Sequence, residues 1–550
     1  MDGSAPTIPE ESVRGNHFYA RTIPANVLKV IKMECPHSNF DLVDNEFGGL
    51  PPLRRIMSQV RKQKGRTMVW EEIQDSEDLK QENEDIRIRL RCPDFKSAKT
   101  VRLSFFKKNF KSKKGLENTT EKDFLGYAIV RNISIPCCET NTWLYESVIG
   151  TIKKSRDTDN YVRGEQEWIC SIGGHNLRIK GYLYAQQNTF TNVCAHVALR
   201  TAVRRFTQND MTYREMNNLI GIDHVKRKLG AGFGGLSTPE MIKVLESAGA
   251  RCMVVNYTTP GGDKDKIPFQ KILYGSIESG FPAIVIFQTA DEPDVCHAIP
   301  IFGHSFIEDT WVHRAESAYF QVGRKIYIPS ESWVSMYIAH DDNWGSNFCV
   351  PRGYLHTRRY CDWVASDAKS CLMDSGCVAY VIGTRPREVE MDPIQAEVIG
   401  ADYLFNILPK SPNLEHAWMR RVLEYLRVNQ LVLRPILIKG KDYLEHLKKI
   451  RDWDKNKLTF SLPMDDSWWL WMVELSVPEL FSTNRRKIGE VILRAEQKPT
   501  RLRDFKNFLF ARIPEFFAFY VKGGAQNPSY IFIPSDLKSH VELYGCEENA

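Results

Sequence analysis

The stretch from Gln186 to Val203 constrains this chain more than any other. A polar run, Gln186-Gln187-Asn188-Thr189-Phe190-Thr191-Asn192, offers side chains suited to capping, and a helix-forming run begins at once behind it. Apolar residues then recur at Ala195, Leu199, Ala202 and Phe206, the spacing of one buried helical face. Cys194 therefore sits about two residues inside a predicted helix N-terminus, where unpaired amides and the helix dipole favour a thiolate over a thiol. A glutamine seven or eight positions upstream can donate a hydrogen bond to a developing oxyanion. Cys194 is thus a candidate nucleophile; the alternative is an inert cysteine filling a core. The two differ in whether the chain also supplies a base and an orienter in the right order.

At 550 residues the chain has room for two to four domains. An apolar fraction of 43% and a charged fraction of 26% are those of a globular protein. The net charge of +6 is spread among interspersed acids and bases, so a nucleic-acid partner is not expected. The longest apolar runs, such as Phe281–Phe287, are strand-sized, far short of the roughly 18 residues of a membrane span. The start, Met1-Asp2-Gly3-Ser4-Ala5-Pro6, lacks the basic and apolar regions of a signal peptide. Thirteen scattered cysteines without an export signal point to free thiols in a reducing compartment, hence the cytoplasm. Cys349, Cys361, Cys371 and Cys377, with His340 and His356, form no compact zinc-ligand pair, so no metal or other cofactor is expected. Nucleotide-binding P-loop, Gly-x-Ser-x-Gly and His-Glu-x-x-His motifs are missing too.

Taken in order, residues 1–40 are Pro- and charge-rich and expected to be loosely ordered. A helix-prone segment spans Asn45 to Gln81, and strands are predicted at Ile86–Arg91, Thr100–Phe105 and Phe124–Val130. The basic run Lys107–Lys114 reads as a solvated loop. These form an N-terminal α+β domain over 41–164. A hairpin follows, Trp168–Ile172 and His175–Ile179 about a Gly173-Gly174 turn, leading into the Cys194 stretch. Downstream lies a helix with Thr238 as N-cap, Pro239 at its first position, and Met241, Val244, Leu245 and Ala248 inward. Then come a strand at Cys252–Val255, a helix at Phe269–Glu278, and strands at Ala283–Phe287, His297–His304 and Ser335–Ala339, with a hairpin insertion over 310–330. A C-terminal α+β domain over 361–550 carries an amphipathic helix at Asn413–Arg427, with Leu414, Trp418, Val422 and Leu426 inward. Its strands are Cys377–Ile382, Trp468–Val473, Glu490–Leu493 and Tyr530–Ile533; the tryptophans read as core.

The central order is Gln, Cys, His, Asp: cysteine at a helix start, His297 opening a strand, and Asp341 at the end of the next strand. His196 lies about 200° around the helix from Cys194 and so points away from it. His304, seven residues from His297, is expected on the opposite face of its strand as a structural residue. The region from about 165 to 350 resembles the papain-like cysteine peptidases, in particular the bacteriocin-processing (double-glycine leader) type and its looser bacterial relatives. The matching phrases are the Gln187/Cys194 stretch, Gly235-Leu236-Ser237…Leu245…Gly249, Ser279–Ile284, His297–Gly303 and Asp341-Asp342-Asn343-Trp344-Gly345. The last of these stands where that family has an Asp-Pro-x-x-Gly turn.

The resemblance implies a papain-like catalytic domain over 165–360, with Cys194 as nucleophile, His297 as general base, Asp341 as orienter and Gln187 as oxyanion donor. Three departures accompany it. The glutamine stands seven residues before the cysteine rather than six, so Gln186 and Asn188 are alternative donors. Ala195 replaces the family's glycine, and the insertion before the acid leaves Asp309 and Asp342 as competitors for Asp341. The activity expected is thiol-dependent acyl transfer on a protein or peptide substrate, with peptide hydrolysis leading and glutamine deamidation or transfer to an amine as variants. The alternative from another class is a non-catalytic interaction module on the same fold.

Overall fold

The computed structural model describes residues 17–20, 25–33, 40–92, 95, 97–134, 141–152, 160–188, 190–222, 235–258, 267–289, 295–306, 321–322, 325–357, 376–410, 417–428, 430–449, 462–482, 485–499, 505–513, 516–519, 529–532 and 541–545. It is an α+β protein built on three large, mainly antiparallel sheets. Among the described residues no helix is long and apolar enough to cross a membrane.

The first residues are not all loose. Strand β1 (His17–Ala20) and strand β2 (Ala25–Lys32) both pair within sheets. β2 edges an antiparallel sheet continued by β3 (Thr67–Ile73), β4 (Lys99–Phe106), β5 (Phe124–Ile133) and β6 (Asn141–Ile149). The segment expected to be helical from Asn45 to Gln81 holds the end of α1 (Phe40–Phe47) and all of α2 (Pro51–Lys62), but β3 interrupts it. The reason is local: Met68 and Trp70 face the core beneath α2 while Val69 faces the core on the other side, a two-residue alternation buried on both faces.

Ile86–Arg91, expected as a strand, is the end of helix α3 (Glu77–Leu90) and its cap. Leu79, Glu82, Asn83 and Ile86 are buried at helical spacing, Ile88 is exposed, and acids in the first turn and arginines in the last complement the dipole. A short helix, α4 (Lys113–Glu117), occupies part of the basic run.

β7 (Asn160–Val162) pairs with a central strand, whereas the hairpin of β8 (Gln166–Ile172) and β9 (His175–Gly181) packs Trp168, Cys170, Ile172 and Leu177 into the N-terminal core. Next come helices α5 (Cys194–Val203), α6 (Tyr213–Ile220), α7 (Thr238–Ser247) and α8 (Phe269–Ile277). The residue before α7 is Ser237, one position earlier than the expected cap, and its amide donates to Glu240 Oε2 at 2.6 Å.

The central strands are β10 (Ala250–Asn256), β11 (Ala283–Thr289) and β12 (Cys296–Phe306). A two-residue pair, β13 (Gln321–Val322) with β14 (Lys325–Ile326), lies within the expected insertion, and residues 307–320 fall outside the described set. Then follow β15 (Ile328–Pro329), β16 (Val334–Asp341), β17 (Gly345–Pro351), β18 (Leu355–Thr357) and β19 (Gly376–Pro386). The sheet order is β10-β19-β11-β12-β16-β17, so the central sheet continues past the expected boundary at 360. Ile284 and Ile286 of β11 pack with α5 and α7, while Val285 and Phe287 pack with α8.

The C-terminal sheet runs β15-β20-β21-β23-β24-β25-β26. Its strands after β15 are β20 (Val432–Lys439), β21 (Trp469–Ser476), β23 (Gly489–Arg494), β24 (Phe508–Ile513), β25 (Phe516–Phe519) and β26 (Ser529–Phe532). A small separate pair is β22 (Arg486–Lys487) with β27 (Val541–Glu542). The helix Ala417–Arg427 buries Val422 and Leu426 as expected; Leu414 and the Trp418 side chain lie outside the described set. Trp471 is core, its indole donating to Met391 O at 3.1 Å.

Candidate active site

Cys194 is the first residue of α5, preceded by Val193 in extended geometry. His196 reaches back from the third helical position, and its Nδ1 accepts the Val193 amide at 3.3 Å while Nε2 meets Asn217 Oδ1 at 3.0 Å. Nδ1 thus serves the helix start and Nε2 ties the ring to α6. The preceding loop is locked from inside. Asn188 Oδ1 accepts the amides of Phe190 and Thr191 at 2.9 and 2.8 Å, and Asn192 Oδ1 accepts the Asn188 amide at 2.8 Å.

Those bonds sort the three candidate oxyanion donors. Asn188 spends its amide nitrogen on Glu82 Oε1 at 2.9 Å and Thr191 Oγ1 at 2.8 Å. Gln186 is tied to β6, its Oε1 accepting the Leu144 amide at 3.0 Å and its backbone N–H donating to Leu144 O at 2.9 Å. Gln187 is half-buried, and its side chain makes no hydrogen bond among the described residues.

The other members converge on Cys194. Its Sγ lies 4.0 Å from the carbonyl oxygen of Cys296, the residue next to His297. His297 Nε2 is 3.4 Å from Asp341 Oδ2 and 3.4 Å from Asp342 Oδ1, which leaves Nδ1 as the nitrogen for Cys194. The ring stands edge-on to Phe287 at 5.5 Å, with its side chain 18% exposed. Burial works against an imidazolium here. The hydrogen bonds to Asp341 and Cys194 and the charges of Asp342 and Asp341 outweigh it, holding His297 well above the ordinary imidazole range. Burial likewise pushes Asp341 up, but His297 and the amides of Asn343 and Trp344, at 2.9 and 3.1 Å from Oδ1, bring it below the usual carboxylate range. Asp342 differs: burial carries it to about 6, against the pull of His297 and with Asp341 adding to the rise.

No family model, curated protein or solved structure matches this chain. The roles of these residues therefore rest on their own chemistry.

Of the competitors for the acid, Asp309 lies outside the described residues, and Asp341 and Asp342 both reach His297. His304 departs from the expected opposite face. A register shift between Ile301 and Gly303 in the β12–β16 pairing returns it to the core that Phe287 faces, where it stacks on Tyr161 at 5.2 Å and stands edge-on to Phe306 at 4.3 Å. There it donates to Glu278 Oε2 at 2.6 Å.

His340 has both nitrogens engaged, Nε2 with Tyr182 O at 3.2 Å and Nδ1 with the Asn347 amide at 3.1 Å, and burial lowers it to about 3. It is no metal ligand in this arrangement; Cys361 and Cys371 lie outside the described set.

The N-terminal domain, to which the sequence assigns no role, braces the site. Glu82 of α3 holds Asn188 in the loop before Cys194. From α2, Gln59 Nε2 donates to Ser346 O at 2.7 Å and Arg55 Nη2 to Asn347 O at 2.8 Å, fixing the turn that carries Asp341. Gly345 ends that turn at φ +108, and a Cβ there would come within 2.9 Å of Arg55 Cβ and 3.1 Å of Pro52 Cα. On α5 itself, buried Arg200 pairs with Glu146 at 2.8 Å and Asp210 at 3.1 Å.

Proposed function

We propose that this protein is a thiol-dependent acyl-transfer enzyme of the cysteine-peptidase kind, acting on amide bonds of protein or peptide substrates. One observation carries the reading: the start of α5, the start of β12 and the end of β16 bring Cys194, His297 and Asp341 together, with His297 Nε2 hydrogen-bonded to Asp341 Oδ2 at 3.4 Å. His297 takes the thiol proton at Nδ1 and the thiolate adds to the carbonyl carbon, the C–O π pair moving to oxygen. Gln187 is the side-chain donor for that oxyanion. His297 then protonates the leaving amine as the C–N bond breaks, and water, deprotonated by the same ring, releases the acyl group from sulfur. Asp341 holds the Nε2–H tautomer and stabilises the imidazolium between these steps. Deamidation and transfer to an amine use the same residues and differ only in the leaving group or the second nucleophile.

The test is site-resolved labelling with iodoacetamide at mildly acidic pH, comparing the native chain with Cys194→Ala, His297→Ala and Asp341→Asn. Selective labelling at Cys194 that collapses in His297→Ala and weakens in Asp341→Asn is expected. Equal labelling of all accessible thiols, indifferent to His297, would leave the fold as a binding module.

A further inference from the structure

We propose that His297, Asp341 and Asp342 form a binding site for a single divalent ion of the zinc class, and that its occupation disables the thiol chemistry at Cys194. The second half rests on the reading above; the first does not. The three side chains offer ligand atoms within 4.8 Å of one another, two of them on buried residues. The His297–Asp341 hydrogen bond is a long one and the Asp342 contact is no shorter, where a compact charge-assisted hydrogen bond closes to about 2.7–2.9 Å. Both are 3.4 Å. A tetrahedral zinc ion with bonds of about 2.0–2.2 Å has ligand-to-ligand edges of about 3.4 Å, which the two His297 edges match; the carboxylate oxygens, within 4.8 Å of each other, close on an ion by rotating about Cβ–Cγ.

The second observation is Asp342. Its side chain is 1% exposed, it is aimed at His297 Nε2, and neither of its oxygens receives a hydrogen bond. His297 faces it at 3.4 Å without a hydrogen bond, and a buried carboxylate in that state is stabilised by a cation in direct contact. The outer partners also fit. Asp341 keeps Oδ1 on the amides of Asn343 and Trp344 and presents Oδ2, while the His297 ring offers Nε2 and turns its other nitrogen to Cys194. One imidazole and two carboxylates suit zinc or cobalt(II), whereas calcium takes about six to eight oxygens. Three protein ligands leave one position for water.

Metal on Nε2 displaces the proton held there, and the ring's one remaining N–H is then at Nδ1. That nitrogen has no lone pair with which to accept the Cys194 proton. Cys194 is then left without a general base at its side.

The experiment titrates the full chain with Co²⁺ and Zn²⁺ in parallel with Asp342→Asn, a near-isosteric change whose folding is checked by circular dichroism, and with Cys194→Ala. Stoichiometric Co²⁺ binding without a thiolate charge-transfer band is expected, weakened at least about tenfold in Asp342→Asn and retained in Cys194→Ala. Zinc should slow iodoacetamide labelling of Cys194 by about tenfold or more at about pH 6 in the native chain and leave Asp342→Asn unaffected. Binding undiminished in folded Asp342→Asn, or lost in Cys194→Ala, overturns the site. Binding as expected with labelling unchanged overturns the coupling. If metal-free labelling ignores His297→Ala, the thiol-enzyme reading fails, and the binding arm still decides the metal site.

Discussion

Glu278→Gln tests how the central sheet is fastened to the C-terminal one. Glu278 follows α8 and is fully buried; its Oε2 accepts His304 Nε2 of β12 at 2.6 Å, and Oε1 pairs with Arg434 of β20. Arg434 keeps a second partner, Glu474, at 2.8 Å. Removing one member of a buried ion pair costs about 3–5 kcal/mol, and because Glu474 still compensates Arg434 the lower end, about 3 kcal/mol, applies.

Linkage gives the same size independently. Burial alone would raise Glu278, but Arg434 and His304 pull it from 4.5 down to about 2. A carboxyl depressed that far contributes about 3 kcal/mol. The contribution is fully present above about pH 4.5 and is lost as pH falls towards about 2. Amide hydrogen exchange over Cys296–Phe306 and Val432–Lys439 should therefore accelerate about a hundredfold at neutral pH in Glu278→Gln. The gap from the native chain should narrow to about half its free energy near pH 3. An acceleration below about fivefold, or a gap independent of pH, would refute the idea that this triad ties the two sheets.

Gln187→Ala should slow acylation of Cys194 by a peptide-based acylating probe about 10²-fold while iodoacetamide alkylation, which forms no oxyanion, stays within about twofold. Equal effects on both reactions would remove Gln187 from the oxyanion role. Gly345→Ala, at φ +108 and against Arg55 and Pro52, should cost about 1–3 kcal/mol in urea unfolding and loosen the Asp341 turn. A change below about 0.5 kcal/mol would mean that the turn yields without strain.

What the sequence made legible was local. The apolar spacing behind Asn192, the strand opened by His297 and the strand closed by Asp341 are each set within about ten residues, and each forms where its period places it. Ile86–Arg91 misled because alternation over six residues is compatible with a helix end, and the burial that decides it comes from Leu79, Glu82 and Asn83 further back. His304 misled because a bulge is not written in a run of apolar residues. The domain boundaries were least legible. Nothing in Gly376–Pro386 specifies insertion between β10 and β11, and nothing in the Trp168–Ile179 hairpin specifies packing away from the domain it introduces. Both are long-range choices, made by complementary faces rather than by local pattern.

The same long-range packing decides what the site is made of. The helix of Cys194, the loop before it and the turn of Asp341 all come from the central region, yet each is held by a buried polar contact from the N-terminal domain: Arg200 on Glu146, Asn188 on Glu82, Ser346 on Gln59. Parting the two would break all three of these buried contacts at once. The proposed chemistry needs its groups held to within about half an ångström, and here two domains share that task. The N-terminal domain is therefore part of the machinery that sets the geometry of Cys194, His297 and Asp341. Any signal that shifts α2 or α3 acts on the site directly, through Gln59 and Glu82.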